Sequence, residues 1–231
     1  MPEVSETFNY KMIGNLKFYY RKCTCDEVIL KEEYQTSRFF APEYELQEDH
    51  IIMDIGSHIG VFSLLAAEKA KKGRVYSIEA DEENYRILKK NVELNKLSNV
   101  SKYLLALTDY RGTGKLYSAN ESWAHTLCNP VSEYWKSVKT DTLANFMMDN
   151  KINHVDFMKI NVEGSEYNIL LNTPKYIIKR VQLIFIEFHP LNNQNEDNLK
   201  RYLEECGFST KISCCATEKG KGWITARLTS E

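Results

Sequence analysis

The residues able to do chemistry cluster where short apolar runs end. In Ile52-Met53-Asp54-Ile55-Gly56-Ser57-His58-Ile59-Gly60 a strand must turn sharply into a helix. Glycine permits such a turn and lets the backbone approach a ligand closely, while the new helix offers free N–H groups to an anion. The spacing Gly56-x-x-x-Gly60 fits the dinucleotide fingerprint G-x-G-x-x-G poorly. Glu79 ends the run Val75–Ile78, and Asp81 follows it as a predicted helix N-cap. Farther on, Val155-Asp156-Phe157-Met158-Lys159-Ile160-Asn161-Val162-Glu163-Gly164-Ser165-Glu166 and Ile184-Phe185-Ile186-Glu187-Phe188-His189 bring Lys159, Asn161, Glu163, Glu187 and His189 to or just past strand ends. In doubly wound sheets ligands sit beyond the carboxyl ends of the strands. An unpaired buried lysine is costly, so Lys159 is expected to pair with Glu163 or Glu187, in a working or a purely structural ion pair. His189, close to Glu187 in sequence, is the best-placed candidate base, with a plain loop residue as the alternative.

The elements that must position these groups follow from periodicity. Thr7–Tyr20 reads as a hairpin turning at Gly14-Asn15, and Asp26–Asp49 as a short helix and connector. Strands are expected at Ile51–Met53, Val75–Ile78, Val100–Leu107, Val155–Ile160, Leu183–Phe188, Phe208–Ser213 and Trp223–Leu228. Between them lie helices carrying Val61, Leu64 and Leu65; Tyr85, Leu88 and Val92; and the segments Asp141–Asp149, Ser165–Leu171 and Asp197–Cys206. Thr113–Ser118 reads as a small hairpin arm. Alternation of strand and helix predicts an α/β, Rossmann-like, doubly wound and mostly parallel seven-stranded sheet. The last two strands, with no helix between them, predict an antiparallel hairpin at its edge. Residues 1–49 form an N-terminal extension, and residues 50–231 the main domain.

Composition narrows the class. The 231 residues carry a net charge of −2, are 43% hydrophobic and 27% charged, and include only ten glycines and five prolines. That suits a well-packed globular protein and gives no phosphate-tracking signature of a nucleic-acid binder. No apolar run approaches a membrane span, and Met1–Met12 lacks the features of a secretory signal. A cytoplasmic protein with reduced cysteines is expected. The spacing of Cys23, Cys25, Cys128, Cys206, Cys214 and Cys215 gives no zinc pattern, and no metal site is expected. His50, His125 and His154 read as solvated connector residues. Trp123 and Trp135 are read either as a roof over an acceptor pocket or as plugs of the sheet edge.

The acidic residue and glycine-rich turn at Asp54–Gly60, together with the closing antiparallel pair, resemble the class I S-adenosylmethionine-dependent methyltransferases. Lys159-Ile160-Asn161-Val162-Glu163-Gly164-Ser165-Glu166, with Val138–Leu143 before it and Glu187-Phe188-His189 after it, is similar to the FkbM family and its K-I-D-V-E-G-x-E segment. This resemblance covers roughly residues 50–190. It implies S-adenosylmethionine as cofactor, with Asp54, Gly56, Ser57, His58 and Gly60 at its amino-acid end and Glu79 on the ribose hydroxyls. Ala80, Asp81, Ala106 and Leu107 would border the adenine. It also implies methyl transfer to a hydroxyl of a small molecule such as a sugar or secondary metabolite, with a base from His189, Glu163 or Glu187. One position departs from the pattern: Asn161 stands where the family usually has Asp, and an amide is no general base. Asn161 therefore either orients cofactor or acceptor, or marks a cofactor-binding protein without catalysis. A nucleic-acid methyltransferase is the third reading, weakened by the absence of an N-P-P-Y-like tetrapeptide.

Overall fold

The computed structural model describes residues 7–35, 44–118, 125–128, 132–189, 191, 194–215 and 221–229. The chain runs β1 (Phe8–Ile13), β2 (Leu16–Arg21), α1 (Asp26–Gln35), β3 (Ile51–Ile55), α2 (Val61–Lys69), β4 (Arg74–Glu79) and α3 (Glu82–Leu94). It continues through β5 (Val100–Leu104), β6 (Ala106–Thr108), β7 (Gly112–Tyr117), β8 (Trp135–Thr142), α4 (Leu143–Asp149), β9 (Val155–Ile160), α5 (Glu166–Leu171) and α6 (Lys175–Ile178). It closes with β10 (Val181–Phe188), α7 (Glu196–Glu205), β11 (Phe208–Cys214) and β12 (Gly222–Leu228). The main sheet has seven strands in the order β11-β12-β10-β9-β3-β4-β5. Its β3, β4, β5, β9 and β10 run parallel, and β12 pairs antiparallel with both β10 and β11. The expected doubly wound sheet with an antiparallel edge hairpin is the one found.

Two apolar clusters lie on the two faces of this sheet. One joins α4, α5, α6 and α7 to β9 and β10 through residues such as Phe146, Tyr167, Ile178 and Leu203. The other joins α2 and α3 to the N-terminal hairpin, whose Phe18 is fully buried. This explains why α2 is buried around its whole circumference from Val61 to Ala67, apolar there but for Ser63. The hairpin covers the side that the sheet does not. Two asparagines of α3 fasten it: Asn91 accepts from the Tyr19 N–H at 2.6 Å and donates to its carbonyl at 3.1 Å, and Asn95 does the same for Lys17 at 2.8 Å each. Each side-chain amide substitutes for a neighbouring strand and satisfies backbone groups of β2.

Two expectations require correction. The third strand does not run to Leu107. It breaks at Leu105, and Ala106–Thr108 leaves the main sheet to pair in parallel with β8. Thr113–Ser118 is likewise no hairpin by itself, since β7 pairs antiparallel with β8 eighteen residues farther on. The resulting sheet, β6-β8-β7, carries Trp135 at 48% exposure with Lys115 Nζ 4.4 Å from its ring centre. Trp135 thus stands on the small sheet rather than roofing the cavity or plugging the main sheet, and Trp123 lies outside the described residues.

Candidate active site

Beyond the carboxyl ends of β3, β4 and β9 the structure forms a cavity of about 540 Å³, within the 300–1,000 Å³ typical of small-molecule sites. Gly56 forms its floor. Its φ is +81°, and a Cβ there would lie 1.8 Å from the backbone oxygen of Asn161, so only glycine lets β3 and β9 close at this point. Gly60, at φ +90°, is the N-cap of α2 and is packed against Leu88 of α3, away from the cavity. Ser57 also points elsewhere, donating to the Asp54 carbonyl at 2.8 Å.

Glu79 ends β4 at the cavity wall. Its two oxygens accept from the backbone N–H groups of His58 at 2.7 Å and Asp81 at 2.8 Å, which fixes the carboxylate's plane. Burial pushes this carboxyl up to about 7, although the two N–H donors oppose the shift. Asp81 is the N-cap of α3, accepting from Glu83 and Asn84, and it holds Lys136 of β8 at 2.9 Å. That ion pair ties the small sheet to α3, while Ala80, Ala106 and Leu107 line the cavity between them.

Asp54 and Lys159 are placed differently from the expectation. Lys159 meets neither Glu163 nor Glu187; it pairs with Asp54 at 3.1 Å and donates to the Gly56 carbonyl at 3.2 Å. The reason is register, because Asp54 and Lys159 are direct partners across β3 and β9. Asp54 is fully buried and accepts from Ser63 at 2.5 Å, which in turn accepts from Ser77 at 2.7 Å. Asp54 therefore braces the turn from behind rather than facing the cavity.

His189 also has other partners than expected. Its Nδ1 is 2.8 Å from Glu166 and its Nε2 3.2 Å from Glu163, not beside Glu187. Burial disfavours its charge, but the two carboxylates outweigh this and push its pKa up to about 10. An imidazole already protonated at neutral pH is no base. It clamps the loop instead, together with Glu166, whose oxygens also accept from the N–H groups of Val162 at 3.1 Å and Gly164 at 2.8 Å. The clamp holds Glu163 in the left-handed region at φ +51°, facing the cavity, and burial raises its carboxyl above the ordinary range.

Asn161 and Glu187 meet on the cavity wall where β9 and β10 end, next to Gly56. The Asn161 amide donates to Glu187 at 3.0 Å, and Lys221 lies 3.6 Å from the other carboxylate oxygen. The Oδ1 of Asn161 is buried without a hydrogen-bond partner among the described residues.

Several wall residues were not legible in the sequence. Arg21, at the end of the hairpin, donates three 3.0 Å hydrogen bonds to Asp26, one from its backbone N–H, and one of 2.6 Å to Asn84, seating α1 so that Cys25, Val28 and Ile29 border the cavity. His58, by contrast, was expected at the cofactor's amino-acid end and does line the cavity; it lies 3.5 Å from both Arg21 and Asp26, and burial lowers its pKa to about 4, so it is neutral. His125, expected in a solvated connector, lines the cavity as well. Asn84 and Asn91 occupy one helical face of α3, a polar stripe that was the only available signal of this docking.

These groups fit S-adenosylmethionine: a cradle only glycine can form, a fixed carboxylate able to accept two hydroxyl hydrogens, and an unsatisfied buried oxygen. The fold and site together define a class I, Rossmann-like methyltransferase. Solved structures share the architecture. TYW2 of M. jannaschii in complex with AdoMet superposes with a TM-score of 0.53 at 15% identity, covering 96% of this chain and 84% of that one. An rRNA methylase of Streptococcus thermophilus gives 0.53 at 12%, covering 85% and 96%. The FkbM methyltransferase domain matches residues 54–210, more than half of the chain, and the chain belongs to that family, with S-adenosylmethionine as its cofactor. Among curated proteins, an uncharacterized protein of Methanocaldococcus jannaschii is 36% identical over 73 residues, 31% of this chain and 27% of its own length. Methyltransferase 1 of Beauveria bassiana is 24% identical over 144 residues, 53% of this chain and 58% of its own. The chain thus spans under two thirds of both.

Proposed function

We propose that this chain transfers the methyl group of S-adenosylmethionine to a hydroxyl of a small molecule, with Glu163 as the general base. The observation that carries this reading is the convergence of Gly56, Glu79 and Glu163 on one cavity, at the ends of three parallel strands. S-adenosylmethionine supplies an already activated methyl group on a sulfonium. The protein's task is to align donor and acceptor and to take up the hydroxyl proton. Glu79 would receive the ribose hydroxyls in the fork that its two backbone donors fix, with Ala80, Ala106 and Leu107 against the adenine.

Glu163 suits the base better than Glu187. Its raised pKa brings it nearer to neutral, where a general base is most effective, and Glu187 is engaged by both Asn161 and Lys221. His189 and Glu166 act as positioning residues. The His189 imidazolium also offsets the charge of Glu163 until the acceptor proton arrives. The cavity's volume of about 540 Å³ is of the size that small-molecule ligands occupy, which supports a small acceptor, although rRNA methylases share the fold.

Incubating the protein with S-adenosylmethionine and a panel of sugar and secondary-metabolite alcohols, read by mass spectrometry, checks the assignment. The expected product carries an O-methyl group, and Glu163→Gln lowers its rate by about 10²–10⁴-fold. Methylation on nitrogen, or an unaltered rate in Glu163→Gln, would contradict it.

A further inference from the structure

A cofactor with an amino-acid arm presents an ammonium group, and Asp54 cannot receive it, being buried behind the turn and committed to Lys159 and Ser63. The Gly56 carbonyl, next in line on the cavity floor, accepts from Lys159 at 3.2 Å. Beside Gly56, among the described residues, stands the pair Asn161–Glu187. Both residues line the cavity. Among the described residues no donor reaches the buried Oδ1 of Asn161, an arrangement that costs free energy unless a ligand completes it.

We propose that Asn161 and Glu187 form the receptor for the cofactor's ammonium group: Asn161 Oδ1 accepts one of its hydrogens, and Glu187 supplies the opposing charge. This rests on the cofactor reading above and assigns the part of the site that Asp54 was expected to fill. It also gives the Asn161 departure a physical role. The 3.0 Å contact to Glu187 needs a donor on residue 161. With Asp there, two carboxylates would stand at hydrogen-bond distance, and one would retain a proton instead of presenting charge. The amide donates to Glu187 and keeps its own oxygen available to accept. The charged groups around the pair are Lys221 at 3.6 Å from Glu187, with Glu163 and Lys159 elsewhere on the cavity wall and His189 two residues beyond Glu187.

The test compares two ligands. S-adenosylhomocysteine carries the amino-acid arm, and methylthioadenosine has the same nucleoside without it. Calorimetric titrations of wild type, Asn161→Ala and the near-isosteric Glu187→Gln should show losses of about tenfold or more for S-adenosylhomocysteine, the size expected for a hydrogen bond to a charged group. For methylthioadenosine the change should stay below about threefold. Glu187→Gln keeps the test valid if the alanine variant folds poorly, and circular dichroism monitors both. Equal losses for the two ligands, or no loss for either, would overturn the assignment and leave the methyltransferase reading standing. A wild type that binds neither ligand would instead contradict that reading itself.

Discussion

Glu79→Ala weakens S-adenosylmethionine binding by about a hundredfold or more at pH 8, because it removes a charged acceptor of two hydroxyl hydrogen bonds. The carboxylate also organises its surroundings, since its oxygens fix the N–H groups of His58 and Asp81. Glu79→Gln is no mild substitute: it turns an amide NH₂ against one of those two donors. The wild type should show a pH dependence of known sign. Burial raises the Glu79 carboxyl to about 7, and only its ionised form accepts both hydroxyls. Affinity therefore falls by about tenfold per unit as pH drops below 7 and levels off above it. Calorimetry between pH 5.5 and 8.5 checks this, and the slope should vanish in Glu79→Ala. The same shift acts oppositely on the ligand-free fold: a carboxyl raised above its unfolded value of 4.5 contributes stability at low pH that is lost as pH rises through about 7.

The second large effect falls on stability. Lys159→Met leaves Asp54 buried without its counter-ion, a change that costs about 3–5 kcal/mol when one partner of a buried pair is removed. Both side chains are within 3% of full burial, so solvent cannot take the place of the ammonium. Denaturant unfolding of Lys159→Met should show that loss. The double variant Lys159→Met/Asp54→Asn should recover part of it, because the amide oxygen can still accept from Ser63. A double variant as unstable as the single one would mean that the pair's charge is not what matters.

How much of this was legible in the sequence depended on whether a residue acts along its own segment or across to another. The strand-to-helix turns at Gly56 and Asn161–Glu166 were readable, because glycine placement and the apolar runs before them are local. The Asp81 cap was readable for the same reason. The partner of Lys159 was not: it is set by the register of β3 against β9, between residues 105 apart. His189 reads as a base because Glu187 stands two residues before it, but β10 ends at Phe188 and the turn beyond it carries His189 to Glu163 and Glu166 instead. β8 was missed because Trp135–Thr142 interleaves lysines with polar residues and buries only its last turn of residues, Thr140 and Asp141. Nothing in Asp26–Gln35 announces a cavity wall. Its role comes from Arg21, which reaches Asp26 and Asn84 at once.

The most direct measurement is a calorimetric titration of S-adenosylmethionine into the wild-type protein at pH 8, with circular dichroism confirming the fold. Saturable heat at one molecule per chain, abolished or reduced about a hundredfold in Glu79→Ala, is the predicted result. A folded protein that gives no saturable heat, or a Glu79→Ala variant that binds as tightly as wild type, would contradict the assignment of this cavity.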